Sequence, residues 1–329
     1  MECRSKSKVL IIGATGYFVC LAETRRCTPH FGAYLAKASI KLGYLTFLLH
    51  RSVTPSDPAK AELVRSFQES GATLLQCEDA LLGAPFFTSR LGDIDDHESL
   101  VAALRQVDVV ISAVSRAAVP SQVKILEPAK EAGTIKRFIP SEFGNDVDRL
   151  ADFKALEGPY GSKRTVRRAV EKSGLPYTIV LAGGFAGHPA AKLGKDDSPP
   201  SREKVTIWGD GNVKAVNKSM LKSIDDPRAE NKYLHIRPKE NIVSQNDLVA
   251  LWEKKIGKTL EKSTVSKEEL LKKVEETPVP GKIMHGMRYV IFILGVHANF
   301  ELGTNDVEAT VLYPDVPYTT VSAYLDQFV

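Results

Sequence analysis

The chain has 329 residues, 43% hydrophobic and 26% charged, and its 44 basic and 40 acidic side chains leave a net charge of +4. This composition excludes a disordered tail, and the interspersed charges form no basic stripe of the kind a nucleic-acid surface needs. No apolar run approaches the ~18–20 residues of a membrane span, and Cys3, Cys20, Cys27 and Cys77 make neither a disulfide framework nor a paired metal motif.

The start, Met1–Lys8, is polar and basic and is followed only by a short apolar run ending in glycines. It lacks the long apolar centre of a secretory signal, so a cytoplasmic protein is expected. Lys8–Ile12 reads as a strand buried on both faces, ended by Gly13. The pattern then predicts helix over Ala33–Leu42, strand over Tyr44–His50, helix over Ala59–Ser70 and strand over Thr73–Gln76. It continues with helix over His97–Arg105, a β-branched strand over Val107–Val114, helix over Val123–Ala132, strand over Arg137–Ile139, a basic helix over Arg164–Ser173 and strand over Tyr177–Leu181. Alternating strands and helices with short connections imply an α/β fold, a Rossmann-type doubly wound parallel sheet.

After about Gly184 the alternation weakens, and Gly187–Lys204 reads as a loop or lobe boundary. Residues 1–184 are therefore expected to form the nucleotide-binding core, and residues 185–329 a smaller C-terminal substrate lobe interleaved with it. In that part, helices are predicted over Gln245–Ile256 and Lys267–Glu276, then the apolar Met287–Val296, then a turn and helix within Asp315–Val329.

Gly13-Ala14-Thr15-Gly16-Tyr17 directly follows the first strand. A pyrophosphate needs backbone amides at a helix N-terminus and glycines where a Cβ would collide with it, which favours a dinucleotide site over a plain turn. The third glycine expected near Gly16 is missing; residues 18–31 intervene before Gly32. Arg51 ends the second strand, where a guanidinium favours the 2′-phosphate of NADP over the ribose of NAD, and Lys60 would add a second charge. The lesser alternative is two exposed cations on a surface loop. Further on, Lys163 and Arg167 stand at helical i, i+4 spacing. A lysine beside a bound nicotinamide can deprotonate a substrate hydroxyl when its surroundings depress its pKa. Tyr160 precedes Lys163 by three residues, which turns its phenol away from where a tyrosine base would be needed.

Several segments together resemble the isoflavone reductase-like enzymes of plants, atypical short-chain dehydrogenases with an NmrA-like fold. They include phenylcoumaran benzylic ether, pinoresinol-lariciresinol and leucoanthocyanidin reductases and eugenol synthase. The resemblance rests on Val9–Tyr17, Asp108–Val114, Ile135–Val147 with its Pro-Ser-Glu-Phe-Gly, Lys163–Arg168, Val205–Lys214, Ile224–Arg228, Tyr233–Asn241 and Leu312–Val321. It implies that Gly13, Thr15, Gly16 and Gly32 form the dinucleotide loop, and that Arg51 and Lys60 hold the 2′-phosphate. Ser112, Ala113, Val114 and Phe185 would line the cofactor, with Arg167 near it and Lys163 as general base. For the benzylic ether reductases it implies removal of a phenolic proton by the lysine, ring opening to a quinone methide and hydride delivery to the benzylic carbon.

The chain departs from the pattern in stretches of about residues 19–31 and 77–91, which interrupt junctions that usually adjoin. Both are expected to be retained introns or gene-model errors, and they account for Cys20, Cys27 and Cys77. An acidic segment usual before Ile224 is missing, and Tyr289 stands where some relatives place a pocket histidine. The expected function is an NADPH-dependent reductase of aromatic plant metabolites of phenylpropanoid, lignan or isoflavonoid type. Its partner is a small aromatic substrate, with no nucleic acid, membrane or metal, and a homodimer is admitted. The alternatives are an NADP(H)-binding sensor without turnover and an inactive isoform with a disrupted loop.

Overall fold

The computed structural model describes residues 6–14, 31–49, 58–75, 94–150, 153–183, 199–215 and 223–329. The chain forms two compact units. The first comprises Met1–Ser141, Thr165–Ile179 and Leu221–Lys232; the second Glu142–Arg164, Val180–Met220 and Tyr233–Val329.

In chain order the first unit begins with β1 (Lys8–Ile12), α1 (Phe31–Lys41), β2 (Leu45–Leu49), α2 (Pro58–Glu69) and β3 (Thr73–Leu75). It continues through α3 (His97–Leu104), β4 (Val109–Ser112), α4 (Val123–Ala132) and β5 (Arg137–Ile139). The strands make one five-stranded sheet in the order β3-β2-β1-β4-β5, every pair parallel. The apolar runs explain the order of burial. Val9, Leu10 and Ile11 of β1 and Val110 and Ile111 of β4 are almost wholly enclosed, as central strands covered on both faces require. Leu10, Val110 and Phe138 share a core with Leu100 and Leu104 of α3, Ile125 and Leu126 of α4, and Val166 and Val170. Each fully buried aliphatic side chain contributes about 1.5–3 kcal/mol.

α5 (Glu157–Lys172) starts seven residues before the predicted Arg164, because Gly158, Pro159 and Gly161 read as breakers in sequence. Pro159 falls in the helix's first turn, where a missing amide costs no intrahelical bond, and Glu157 complements the dipole there. Lys163 is thereby a mid-helix residue.

The remaining elements are β6 (Thr178–Leu181), β7 (Lys204–Trp208), β8 (Lys214–Ala215), β9 (Lys232–His235), β10 (Val243–Ser244), α6 (Gln245–Ile256), β11 (Glu261–Val265), α7 (Lys267–Glu276), α8 (Gly281–Phe292), β12 (Asp306–Glu308), α9 (Ala309–Leu312) and α10 (Val321–Leu325). Their strands form small sheets: β11 with β7, β10 with β8, and β12-β9-β6. The apolar run from Met287 falls mostly on α8, which buries Tyr289, Val290, Ile291 and Phe292 with Leu150, Leu156, Trp208 and Leu270. A second core gathers Val205, Ile207, Leu248, Val249 and Trp252, whose indole N–H donates to the Ser201 carbonyl at 2.7 Å. Among the described residues no helix is long and apolar enough to cross a membrane, and no cluster of three or more metal-ligating side chains occurs.

Candidate active site

In the first unit the strand order reverses between β1 and β4, and open α/β sheets bind ligands in the crevice at such a reversal, past the C-terminal strand ends. Gly13 leaves β1 with φ +92°, and a Cβ on it would lie 2.5 Å from the Ala113 carbonyl oxygen. Gly32, in the first turn of α1, closes the other side: a Cβ there would lie 2.5 Å from the Gly13 oxygen and 2.9 Å from the Ala14 Cα. Two backbones thus approach where only glycine fits. The Ala113 amide donates to the Ile12 carbonyl at 2.7 Å, so the β4 end is tied to the β1 end. Ser112 is fully buried, and its hydroxyl has no hydrogen-bond partner among the described residues. The Val114 carbonyl accepts from the Ser141 hydroxyl at 3.1 Å, and the Ser141 amide donates to the buried Gln122 carboxamide at 2.7 Å. Gln122, at the end of a 3₁₀ turn spanning Arg116–Gln122, was not foreseen; nothing local in sequence distinguishes it from a solvated glutamine.

In the second unit, the turn 142–147 lies against the N-terminal half of α5. Lys163 Nζ donates to the Glu142 carbonyl at 2.8 Å, and Arg164 donates to the Val147 carbonyl at 3.0 Å. Between them Asn145 Nδ2 donates to the Tyr160 hydroxyl at 3.2 Å, and that hydroxyl donates to the Met287 thioether at 3.1 Å. Asn145 Oδ1 also accepts from His297 Nε2; both residues are buried. Within the turn Phe143 has φ +41°, a left-handed conformation uncommon for a bulky residue. Tyr289 stacks on Phe153 at 5.2 Å, so the position expected to differ from some relatives contributes apolar surface here.

Beside the turn a small cavity is lined by Asn145, Asp146, His235, Arg237, His297 and Phe300 among others. His235 Nε2 meets Asp306 Oδ1 at 3.0 Å, and a carboxylate partner requires that nitrogen to carry the proton. Burial lowers the His235 pKa despite the pull of Asp306, which keeps the ring neutral near neutral pH. For Asp306, burial pushes upward but is outweighed by the Gly303 amide, His235 and Arg149, so the carboxyl lies below its ordinary range. Arg149 and Arg237 stack on Phe300 at 3.8 and 4.4 Å from its ring centre. These residues were not singled out individually; their partners are too distant in the chain for a spacing rule.

Of the expected site residues, the structure brings Gly13, Gly32, Ser112, Ala113 and Val114 together at the crevice of the first unit. Lys163 lies on α5 in the second unit; Arg167, on the same helix, is almost wholly buried in the first, where its charge bears on Tyr177. Lys60 is in α2, but its side chain, like Thr15, Gly16, Arg51 and Phe185, lies outside the described residues. So do the stretch 77–91 and all of 19–31 except Phe31.

The NmrA-like family model matches residues 5–325. The chain is 46% identical to phenylcoumaran benzylic ether reductase IRL1 of Ginkgo biloba, over 98% of this chain and 99% of that protein. It is 47% identical to eugenol synthase 2 of Clarkia breweri, over 99% of each. Among solved structures, AtPrR2 with NADP+ and (+)-pinoresinol superposes with a TM-score of 0.85 at 34% identity, covering 98% of this chain and 99% of that one. Glycine crevice, lysine helix and full-length similarity agree: the chain belongs to the NmrA-like family and, within it, to the isoflavone reductase-like group of plants.

Proposed function

We propose that this protein is an NADPH-dependent reductase of small phenylpropanoid, lignan or isoflavonoid-type substrates, with Lys163 as general base. The relative from Ginkgo biloba is named for such a reduction, and one related structure holds NADP+ with (+)-pinoresinol. The first unit's crevice fits a dinucleotide. Added Cβ atoms at Gly13 and Gly32 would strike the Ala113 and Gly13 carbonyl oxygens, so the close strand-to-helix packing of a dinucleotide loop admits only glycine there, and the buried Ser112 hydroxyl offers a donor to a ligand. The close approach of Gly32 to Gly13 supports a junction kept intact although residues 14–31 separate the two.

NADPH, when bound, supplies the hydride. Gly13, Gly32, Ser112, Ala113 and Val114 would hold it, and Thr15, Gly16, Arg51, Lys60, Arg167 and Phe185 are assigned to the same task by resemblance. Lys163 moves the proton. A neutral amine keeps one lone pair for a phenolic proton while an N–H stays on a carbonyl, so donation to Glu142 at 2.8 Å orients the base without consuming it. That bond is the observation that carries the reading.

The test titrates purified protein with NADPH, then follows NADPH oxidation with dehydrodiconiferyl alcohol, pinoresinol and an isoflavone. Lys163→Ala should bind NADPH normally and lose about 10²–10⁴-fold in kcat. Turnover that survives the substitution would exclude Lys163 as the base.

A further inference from the structure

We infer that Asn145 is a positioning residue for Lys163, its carboxamide holding the turn 142–147 on α5 so that the Glu142 carbonyl orients the lysine amine. This rests on the reading of Lys163 as general base. Lysine carries its amine on a flexible four-carbon stem, so a base at that position needs a fixed partner. One partner present is the Glu142 backbone carbonyl, and it is only as fixed as the turn that carries it.

The turn has bonds of its own farther along, where the Gly144 carbonyl accepts from the Gly183 amide at 3.1 Å and the Asp146 carboxylate from the Asp148 amide at 3.2 Å, but beside Glu142 its backbone is strained. Phe143, next to the accepting carbonyl, sits at φ +41°, a sparsely populated conformation that persists only where its surroundings impose it. α5 meets the turn through Lys163 on Glu142, Tyr160 at Asn145, and Arg164 on Val147. At Tyr160 the turn contributes a side chain, whereas at Lys163 and Arg164 it contributes backbone carbonyls. A thioether sulfur only accepts, so the Tyr160 hydroxyl donates to Met287 and must accept from Asn145 Nδ2. This orients the amide and leaves Oδ1 for His297 Nε2. Asn145, itself 6% exposed, therefore joins the turn to α5, to α8 through the Met287 sulfur at 3.7 Å, and to His297. Removing it takes one hydrogen bond each from Tyr160 and His297 and frees the strained turn to relax. A displacement of about 1 Å at a reacting group can cost ~10²-fold in rate.

The test uses the full chain with NADPH and the same three substrates, and compares Asn145→Ala, Asn145→Asp, Lys163→Ala and the double variant Asn145→Ala/Lys163→Ala. Asn145→Ala should lower kcat about 30- to 100-fold while the NADPH Kd changes less than ~2-fold. Asn145→Asp should recover kcat to within about 5-fold, because its carboxylate still accepts from His297 and the Tyr160 hydroxyl can turn to donate to it. The double variant should be no more than ~2-fold slower than Lys163→Ala, since residues acting as one unit are not additive. Multiplying losses, or an unchanged kcat in Asn145→Ala, would overturn the inference. A Lys163→Ala protein with full turnover would instead remove the general-base reading beneath it. A readout independent of turnover is competitive acetylation of lysines in the protein alone. Lys163 should label about 5-fold faster in Asn145→Ala while Lys172 and Lys258 stay unchanged, as expected of an amine that has lost its hydrogen-bonded restraint; an unchanged Lys163 rate would overturn the proposal. If Asn145→Ala does not fold, Tyr160→Phe replaces it in both experiments, with an expected 3- to 10-fold loss of kcat that vanishes in the Lys163→Ala background. A loss that persists there would overturn it equally.

Discussion

The glycine crevice of the first unit and the lysine turn of the second are built by opposite means. The crevice is made by leaving side chains out, so that the backbones of Gly13, Gly32 and Ala113 approach within distances a Cβ would forbid. The lysine turn is made by side chains that interlock, with Asn145, Tyr160, Met287 and His297 each completing another's hydrogen bonding. A site made of backbone has no graded substitutions, because any Cβ collides. One made of side chains can be dismantled a bond at a time, with losses that depend on what each replacement retains.

The largest expected effect therefore falls on the crevice. Gly13→Ala combines φ +92° with a Cβ 2.5 Å from the carbonyl oxygen of Ala113, a residue whose amide is bonded to the Ile12 carbonyl. It should weaken NADPH binding at least ~100-fold, or prevent folding outright, since strain and overlap each cost on the order of 1–3 kcal/mol. Fluorescence titration with NADPH, read beside a thermal melt, checks this. Binding within tenfold of the unaltered protein would show the crevice to be softer than the comparison allows.

Next in size is a substitution that treats the first unit as though it too relied on side chains. Arg137 is buried in β5, and its guanidinium donates to the Thr178 hydroxyl, the Ser223 and Asp226 carbonyls and the Glu230 carboxylate. Arg137→Ala should destabilise by about 2–4 kcal/mol, because four acceptors lose a charged donor and a cavity opens. Urea unfolding measures it, and a midpoint shift within error would mean that the polar bonds of this unit are dispensable.

The same contrast explains what could be read in sequence. β1, β4 and Gly13 were legible because continuous apolar runs and a glycine right after a strand are local signals. Gly32 was not legible from spacing, since a long stretch separates it from Gly16; it entered through resemblance, and its contact with Gly13 is a fact of three dimensions. Lys163 was found, but the start of its helix was missed because Gly158, Pro159 and Gly161 resemble a turn, while in the fold they form the opening turns of α5. β11 is Glu-Lys-Ser-Thr-Val with nearly every residue exposed, so no alternation announces it. The partnership of Asn145 with His297 joins residues 152 positions apart, beyond the reach of any periodicity.

A smaller effect is the response of the second unit to pH. His235 has a lowered pKa, so its contribution is fully present above the ordinary histidine value of about 6.5 and is lost as pH falls from there toward the folded value. Asp306 is lowered too, so its contribution is present above about 3.9 and lost on further acidification. Both slopes have one sign: acid destabilises the second unit. Urea midpoints measured from pH 7.5 downward should begin to fall near pH 6.5, where His285, also lowered by burial and by Arg288, contributes as well, and His235→Asn should flatten the first part of that curve. An identical decline in the variant would assign the acid sensitivity elsewhere.

The smallest effect compares two helix caps. Asp96, before α3 in the first unit, accepts a single bond from the Ser99 amide at 3.2 Å. Ser244, before α6 in the second, is buried and reciprocally bonded: its hydroxyl accepts from the Asp247 amide at 3.1 Å, while the Asp247 carboxylate accepts from the Ser244 amide at 3.0 Å. The Asp247 carboxyl lies below the usual range chiefly because of that Ser244 amide, with the Ser244 hydroxyl adding to it. Ser244→Ala should cost about 1–2 kcal/mol and Asp96→Ala about 0.5–1 kcal/mol. Ser244→Ala should also raise the Asp247 pKa by removing one of its two lowering bonds, while the larger, backbone one remains. Thermal melts of the two variants, with carboxyl titration of Asp247 by NMR, test whether interlocking holds even at a helix end. Equal costs, or an unmoved Asp247, would confine the interlocked design to the turn that carries Asn145.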